Sequence, residues 1–303
     1  MPNLKDIKRR ILSVHNTQKI TRAMKMVAAA KVKKTEALLK ASLPYSGELL
    51  KMIKRLMAAK PLIEKSQEKY VKAIDNYPEL LIQRELKTVG ILVVTSDKGL
   101  AGAYNANIVR TTLRRIREFE ENNIDYKLFV VGNKGYQALK RKAAPEKIVH
   151  FYTKLPAVPT PGASAVIAED IAESYVNGGI DRLEIITTYF KSSLSYEVQI
   201  WQLLPLTFQT EKEKQGIEPE MMFEPDLESV LQKIVPLYIS NRIYHAIIEA
   251  ATSEQAARMQ AMSAATTNAG DMIKILTIDY NKARQASITQ ELLEVVNGAE
   301  ALR

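Results

Sequence analysis

The chain has no cysteine, which removes disulfide frameworks, thiol redox switches and zinc-thiolate sites together. Histidine occurs only at 15, 150 and 245, too thinly for a histidine-rich metal site. No apolar run approaches the roughly 18 residues that a membrane-spanning helix needs, so any role at a membrane is expected to be peripheral. Glycine and proline number only 12 each in 303 residues, which excludes collagen-like and low-complexity classes. What is present is an average globular composition, 46% hydrophobic and 25% charged. The length suits about two domains with a sizeable core.

The net charge of +9 is unevenly spread. Residues 1–60 hold fifteen Lys and Arg against three acids, Asp6, Glu36 and Glu48, while the rest of the chain is slightly acidic. Such a block points to nucleic acid, anionic lipid or an acidic protein surface as partner. An ordinary solvated helix face is the plainer alternative.

Hydrophobic periodicity divides the chain into three regions. In residues 3–58, Leu4, Ile7, Ile11 and Val14 recur at 3–4 spacing, continuing through Gln18 and Thr21 and then onto Met24 and Val27. So narrow a seam suits a coiled-coil partner better than a globular core. Pro44 is expected to kink or break this helix, because a proline in a helix interior costs about 3 kcal/mol. Residues 89–210 alternate instead. Strands are expected at 89–94, 126–131, 147–152, 182–189 and 195–203, and helices at 105–121, 136–142 and 163–176. That order implies a mostly parallel sheet ending in an antiparallel pair. Residues 227–297 return to helix, with Pro236 near its start and Gly298 as a C-cap. Here the seam reads Ile248, Thr252, Gln255, Met259, Met262, Thr266, Ala269, Ile273, Leu276, Tyr280, Ala283, Ser287. Some 60 residues at 1.5 Å each make a rod of roughly 90 Å.

The expected fold is therefore α/β plus coiled coil. A long antiparallel two-helix coiled coil comes from the two termini, with a small Rossmann-like α/β domain between them. The expected boundaries are 1–60 for the N-terminal helix and 61–88 for a variable connector. The α/β domain takes 89–210, a linker 211–226, and the C-terminal helix 227–303.

The α/β region invites an enzyme reading, which its motifs do not support. The loop Thr95-Ser-Asp-Lys-Gly-Leu-Ala-Gly-Ala-Tyr-Asn105 supplies only G-x-x-G, and Gly132-Asn-Lys-Gly135 is no fuller. Neither the dinucleotide fingerprint nor a P-loop is present, so a tight strand-to-helix turn is the preferred reading. No G-x-S-x-G elbow exists, and no histidine sits in a nucleophile–base motif. His15 and His245 read as surface or seam residues, and His150 as a structural imidazole in its strand. No cofactor, metal or catalytic residue is expected.

The helical ends carry the stronger signals. In Gln18-Lys-Ile-Thr-Arg-Ala-Met-Lys25, the cations Lys19, Arg22 and Lys25 flank Met24, read as an exposed apolar side chain. Near the other end, Arg284 and Gln285 are adjacent, and Thr289 follows Gln285 by one turn. A polar cluster on a rod built for packing reads as a docking point or as a plain solvated face.

With these residues in view, the sequence resembles the gamma subunit of F-type ATP synthase, the central rotor shaft, of bacterial type. The resemblance rests on residues 11–34, the loop 95–105, Ser253-Glu-Gln-Ala-Ala-Arg-Met-Gln-Ala-Met262 and residues 281–291. It runs from about residue 3 to 302; residues 62–85 and 155–162 fit poorly. The resemblance implies a non-catalytic subunit whose coiled coil turns inside a ring of alpha and beta subunits. The α/β domain would lie beside epsilon on the c-subunit ring, so that ion-driven rotation is coupled to ATP synthesis and hydrolysis. It implies that Lys19, Arg22, Met24 and Lys25 face an acidic loop of the beta subunits, and that Arg284, Gln285 and Thr289 contact a beta subunit. Tyr45, Phe223 and Glu224 would belong to the foot near the c ring and epsilon. An asymmetric shaft would present a different face to each catalytic site and shift its conformational populations.

Chloroplast relatives carry a regulatory insert with paired cysteines, so a chain without cysteine lacks thiol modulation. The basic N-terminus resembles a mitochondrial presequence, but the match begins at residues 3–4. A bacterial protein, peripheral on the cytoplasmic face of the plasma membrane, is expected. The competing reading is a basic coiled-coil adaptor for nucleic acid. It would interleave aromatic residues with the cations, whereas residues 1–44 contain no Phe, Tyr or Trp.

Overall fold

The computed structural model describes residues 4–66, 80, 83–206 and 227–301. The elements run α1 (Leu4–Ser66), β1 (Thr88–Val94), α2 (Tyr104–Glu121), β2 (Asp125–Val131), α3 (Asn133–Lys142), a 3-10 turn (Pro145–Lys147) and β3 (Ile148–Tyr152). They continue with α4 (Pro161–Val176), β4 (Arg182–Ser192), β5 (Ser195–Leu204) and α5 (Leu227–Ala301). Two compact units form, one from Met1–Ala29 with Arg258–Arg303, the other from Ala30–Ala257.

The larger unit is built on a five-stranded sheet of order β3-β2-β1-β4-β5. The first four strands are parallel and β5 is antiparallel to β4. β1 shows why these residues make a central strand. Its side chains alternate between two buried faces, so a continuous apolar run is required. Leu92 and Val94 join a core with Ile167, Ile171 and Tyr175 of α4, Leu49 and Ile53 of α1, and Val235, Ile239 and Ile243 of α5. Val89, Ile91 and Val93 point the other way, to Ile108, Ile116 and Phe119 of α2 and Leu139 of α3. One charge is buried within the second layer. Glu184 on β4 accepts from Arg115 of α2 through Nε at 2.8 Å and Nη2 at 2.6 Å. This forked pair raises the guanidinium's pKa further above its ordinary value, the Glu184 hydrogen bond being the main cause.

The smaller unit is a helix pair. Gln18 Nε2 donates to the Thr266 carbonyl at 3.4 Å, and the Thr21 and Thr266 hydroxyls are 2.9 Å apart. Ile7 and Arg10 lie beside Leu276, Ala283 and Ala286. Rising numbers on α1 meet falling numbers on α5, so the pair is antiparallel. On α5 the twelve expected seam positions are all buried or half-buried. From 271 to 297, every residue outside that register is exposed.

Several sequence expectations for the two long helices fail. The α1 seam leaves Val27, which is 55% exposed, and continues through Ala28, which is buried; the step after Met24 is four residues, not three. α1 runs unbroken through Pro44. Pro44 is exposed, as is Lys40 one turn earlier, so the carbonyl that loses its helical donor faces water. Pro236 lies near the start of α5, as expected, within the helix rather than at its first turn, and it too is exposed. Gly298 does not end α5, which extends to Ala301.

Candidate partner-binding surface

The turn that opens α3 is closed to a phosphate by the chain's own groups. At the start of α3, the Asn133 N–H donates to Asp97 Oδ1 at 2.9 Å. The Lys134 N–H donates to the Ser96 carbonyl at 3.0 Å, and the Gly135 N–H to Thr95 Oγ1 at 3.0 Å. The three amides that a helix N-terminus would offer an anion are therefore engaged. Asp97 also accepts from the Thr153 hydroxyl at 3.0 Å and the Lys154 N–H at 2.8 Å, so one carboxylate ties together the ends of β1, β2 and β3. Gly132 permits the close approach. Its φ is +93°, and a Cβ there would collide with the Thr95 carbonyl.

The histidines form no catalytic arrangement. His15 is exposed. His150 stacks between Phe129 and Tyr152, with ring centroids 5.6 and 6.0 Å away. His245 lies on α5 with Nδ1 3.8 Å from Glu249 Oε2. Burial pulls the imidazole below its ordinary pKa and pushes the Glu249 carboxyl up to about 7. Each is driven toward its neutral form, so proximity does not make them an ion pair. Among the described residues, no three His, Asp or Glu side chains cluster as metal ligands, and no helix is long and apolar enough to cross a membrane.

On α1, Lys19, Arg22 and Lys25 are all exposed. Met24 is not the exposed apolar side chain that was expected. It is half-buried on the seam, because it keeps the 3–4 register shared with Thr21 and Ala28. The exposed apolar groups among the cations are Ile20, Met26 at 61% and Val27. Their departure from the seam register was the signal that could have identified them.

On α5, Arg284, Gln285 and Thr289 are exposed. The Thr289 hydroxyl donates to the backbone carbonyl of Gln285 at 2.9 Å. The helix thus brings the three onto adjoining surface without joining their side chains into one network. Exposed apolar residues accompany them: Met272, Ile275 and Ile278 on one side, then Ile288, Leu292, Leu293, Val295 and Val296 toward the C-terminus. These were missed because attention to the seam passes over apolar residues outside it. In the larger unit, Tyr45 on α1 is 52% exposed; Phe223 and Glu224 lie outside the described residues.

Comparison with known proteins gives a consistent picture. The family model for ATP synthase matches residues 3–302. The ATP synthase gamma chains of Gloeothece citriformis and a Picosynechococcus species are 41% and 40% identical over 327 aligned residues, with the whole of both chains covered in each case. Among solved structures, a chain of the Tetrahymena thermophila mitochondrial ATP synthase central stalk and c ring matches at 28% identity and a TM-score of 0.59. That match covers 81% of this chain and 99% of the other. A chain of the Euglena gracilis mitochondrial ATP synthase has a TM-score of 0.65 at 17% identity, covering 99% and 94%, which is a likeness of fold.

Proposed function

The chain belongs to the ATP synthase gamma-chain family and is a central rotor-stalk subunit; we propose that its paired helical ends turn inside a ring of alpha and beta subunits. Its α/β body then transmits the rotation of a c ring, with epsilon alongside. The observation that carries this reading is the uncovered apolar surface along α5, Met272 through Val296, beyond the seam that pairs it with α1. Apolar area of that extent marks a protein contact, and a surrounding sleeve of subunits would cover it.

The chain itself does no chemistry in this reading. ATP is made and split on other subunits, and the engaged amides at the start of α3 support a structural role for the α/β body. The complex is peripheral at this subunit, at the cytoplasmic face of a bacterial plasma membrane. Residues 61–88 act as a connector and 211–226 as a linker between the α/β body and the C-terminal helix. Lys19, Arg22 and Lys25 supply dispersed attraction to acidic beta-subunit loops, with Ile20, Met26 and Val27 as apolar contacts and Met24 as a seam residue behind them. Dispersed charge suits a sliding contact, since no single bond must be fully broken at each step. Arg284, Gln285 and Thr289 form the second beta-subunit contact, and Tyr45, Phe223 and Glu224 the contact near the c ring. The nucleic-acid adaptor has no comparable support.

Two measurements test this. Expressed with alpha and beta subunits, the chain should co-purify as one copy per hexamer; its absence from that complex would sink the rotor reading. With Lys19→Glu, Arg22→Glu and Lys25→Glu combined, ion pumping per ATP hydrolysed should fall severalfold in membrane vesicles. Unchanged pumping would remove the charge role.

A further inference from the structure

The seam of the helix pair mixes bulky side chains, Ile7, Ile11, Val14, Ile273 and Leu276 among them, with others that hold register poorly. Ala28, Ala269, Ala283 and Ser287 are small, and Met262 is adaptable. Because seam positions repeat every heptad, one helix sliding past the other by that step would still set seam residues against seam residues. A slip of one heptad would carry Arg284, Gln285 and Thr289 about 10 Å along the axis relative to Lys19, Arg22 and Lys25. Whatever the two clusters touch, they must touch it in a set relation.

One layer is different. Thr21 is buried, and its hydroxyl lies 3.0 Å from the Gln18 carbonyl and 2.9 Å from Thr266 Oγ1. Thr266 Oγ1 is also 2.7 Å from the Met262 carbonyl. Each hydroxyl has one proton, so whichever of the two donates across the seam leaves the carbonyl on its own helix to its backbone donor alone. Gln18 reaches across to the Thr266 carbonyl. It can do so because the facing residue is Gly270, where a Cβ would stand 2.9 Å from Gln18 Nε2. In a register shifted by one heptad Thr21 would face Met259 or Ile273 and Thr266 would face Val14 or Ala28, so each hydroxyl would keep the acceptor on its own helix but lose its contact across the seam. Gln18 would meet the side chain of Ser263 or Thr277 where Gly270 now leaves it room. A polar pair inside an apolar seam is a known way to specify one register.

We propose that Gln18, Thr21 and Thr266, with Gly270 opposite, are positioning residues that lock the register of the terminal helices and so set the relation between the two partner-binding clusters. The functional part of this inference rests on the rotor reading above. The register part does not.

The absence of cysteine makes the test direct. By the pairing of Gln18 and Thr21 with Thr266, Val14 falls opposite Ile273, and Tyr280 is one heptad away. Full-length chains carrying Val14→Cys with Ile273→Cys, or Val14→Cys with Tyr280→Cys, are oxidised and their disulfide yields compared. The native pair should dominate. In the background Gln18→Leu, Thr21→Val and Thr266→Val, the preference for it should fall about tenfold, while the melting temperature holds or rises. Thr21→Ser, which keeps the hydroxyl, should keep the preference. An unchanged yield ratio in the apolar background overturns the lock.

Assembled with alpha and beta subunits, the apolar background without cysteines should pump fewer ions per ATP hydrolysed, and Thr21→Ser should pump normally. A shifted ratio with unchanged pumping overturns the link between register and coupling. Failure of the unmodified chain to join alpha and beta subunits would instead defeat the rotor reading and leave the register result standing.

Discussion

Glu249 and His245 show how a single buried side chain makes stability depend on pH. Burial holds the Glu249 carboxyl protonated up to about 7, against an ordinary value of 4.5. The folded chain therefore keeps a proton that the unfolded chain has released, and the stability this contributes is lost as pH rises from about 4.5 through 7. His245 works in the opposite sense. Its pKa is lowered by burial, so its penalty is present at low pH and disappears as pH rises past its unfolded value of 6.5. Above about pH 7 only the Glu249 penalty remains. Glu249→Gln should stabilise the chain by about 2 kcal/mol near pH 8 and by much less near pH 5, read from thermal melts at the two values. An equal gain at both would mean that Glu249 is not held neutral. Gly132 makes a second residue-scale case. Gly132→Ala meets both a left-handed φ and the Thr95 backbone, and should cost about 2 kcal/mol or more in denaturant unfolding.

At the scale of elements, what the residues announced depended on whether local pattern or tertiary context decides. The strands were readable nearly to the residue because Val89–Val94 and Tyr126–Val131 are β-branched and aromatic runs bounded by turn residues. The α5 seam was readable because twelve positions keep one spacing. The interruption expected at Pro44 was misread because a proline's cost is local, whereas packing over tens of residues opposes it. Pro44 and Pro236 sit on exposed faces of α1 and α5, where that packing is undisturbed and water serves the freed carbonyls. Pro44→Ala should then raise stability by about 2 kcal/mol, measured by circular dichroism melting. A loss of stability would show that the proline supports a bend the unit needs. The surface was harder to read than the seam. Met24 and Met26 are the same residue type two positions apart, and only the four-residue step to Ala28 separates the one that is half-buried from the one that is exposed.

For the molecule as a whole, the division into two units at 29/30 and 257/258 was not visible in the residues, since both long helices pass through it without a change of composition. The fold class was visible, because periodicity of 3–4 at both ends and strands alternating with helices in the middle admit few other arrangements. The partner surface was partly visible. Its cations stood out as charge, but its apolar residues on α5 look like any helix interior until the register is known. Those residues lead to a prediction at this scale. In the isolated chain, amides of 288–296 should exchange hydrogen fastest within the last third of α5, and they should be slowed at least tenfold when alpha and beta subunits are added. Exchange that is slow before addition, or unaltered after it, would mean the apolar stretch is not a partner surface.

Asp97 has a consequence for the neighbourhood in which such a subunit works. A parallel sheet with glycine-bearing turns is the kind of scaffold that usually welcomes nucleotides, and here a fixed carboxylate stoppers the niche. A phosphate drifting toward the start of α3 meets negative charge and occupied amides. Surrounded by subunits that trade in ATP and phosphate, the shaft is thereby kept from becoming a competitor for the very molecules whose turnover it times.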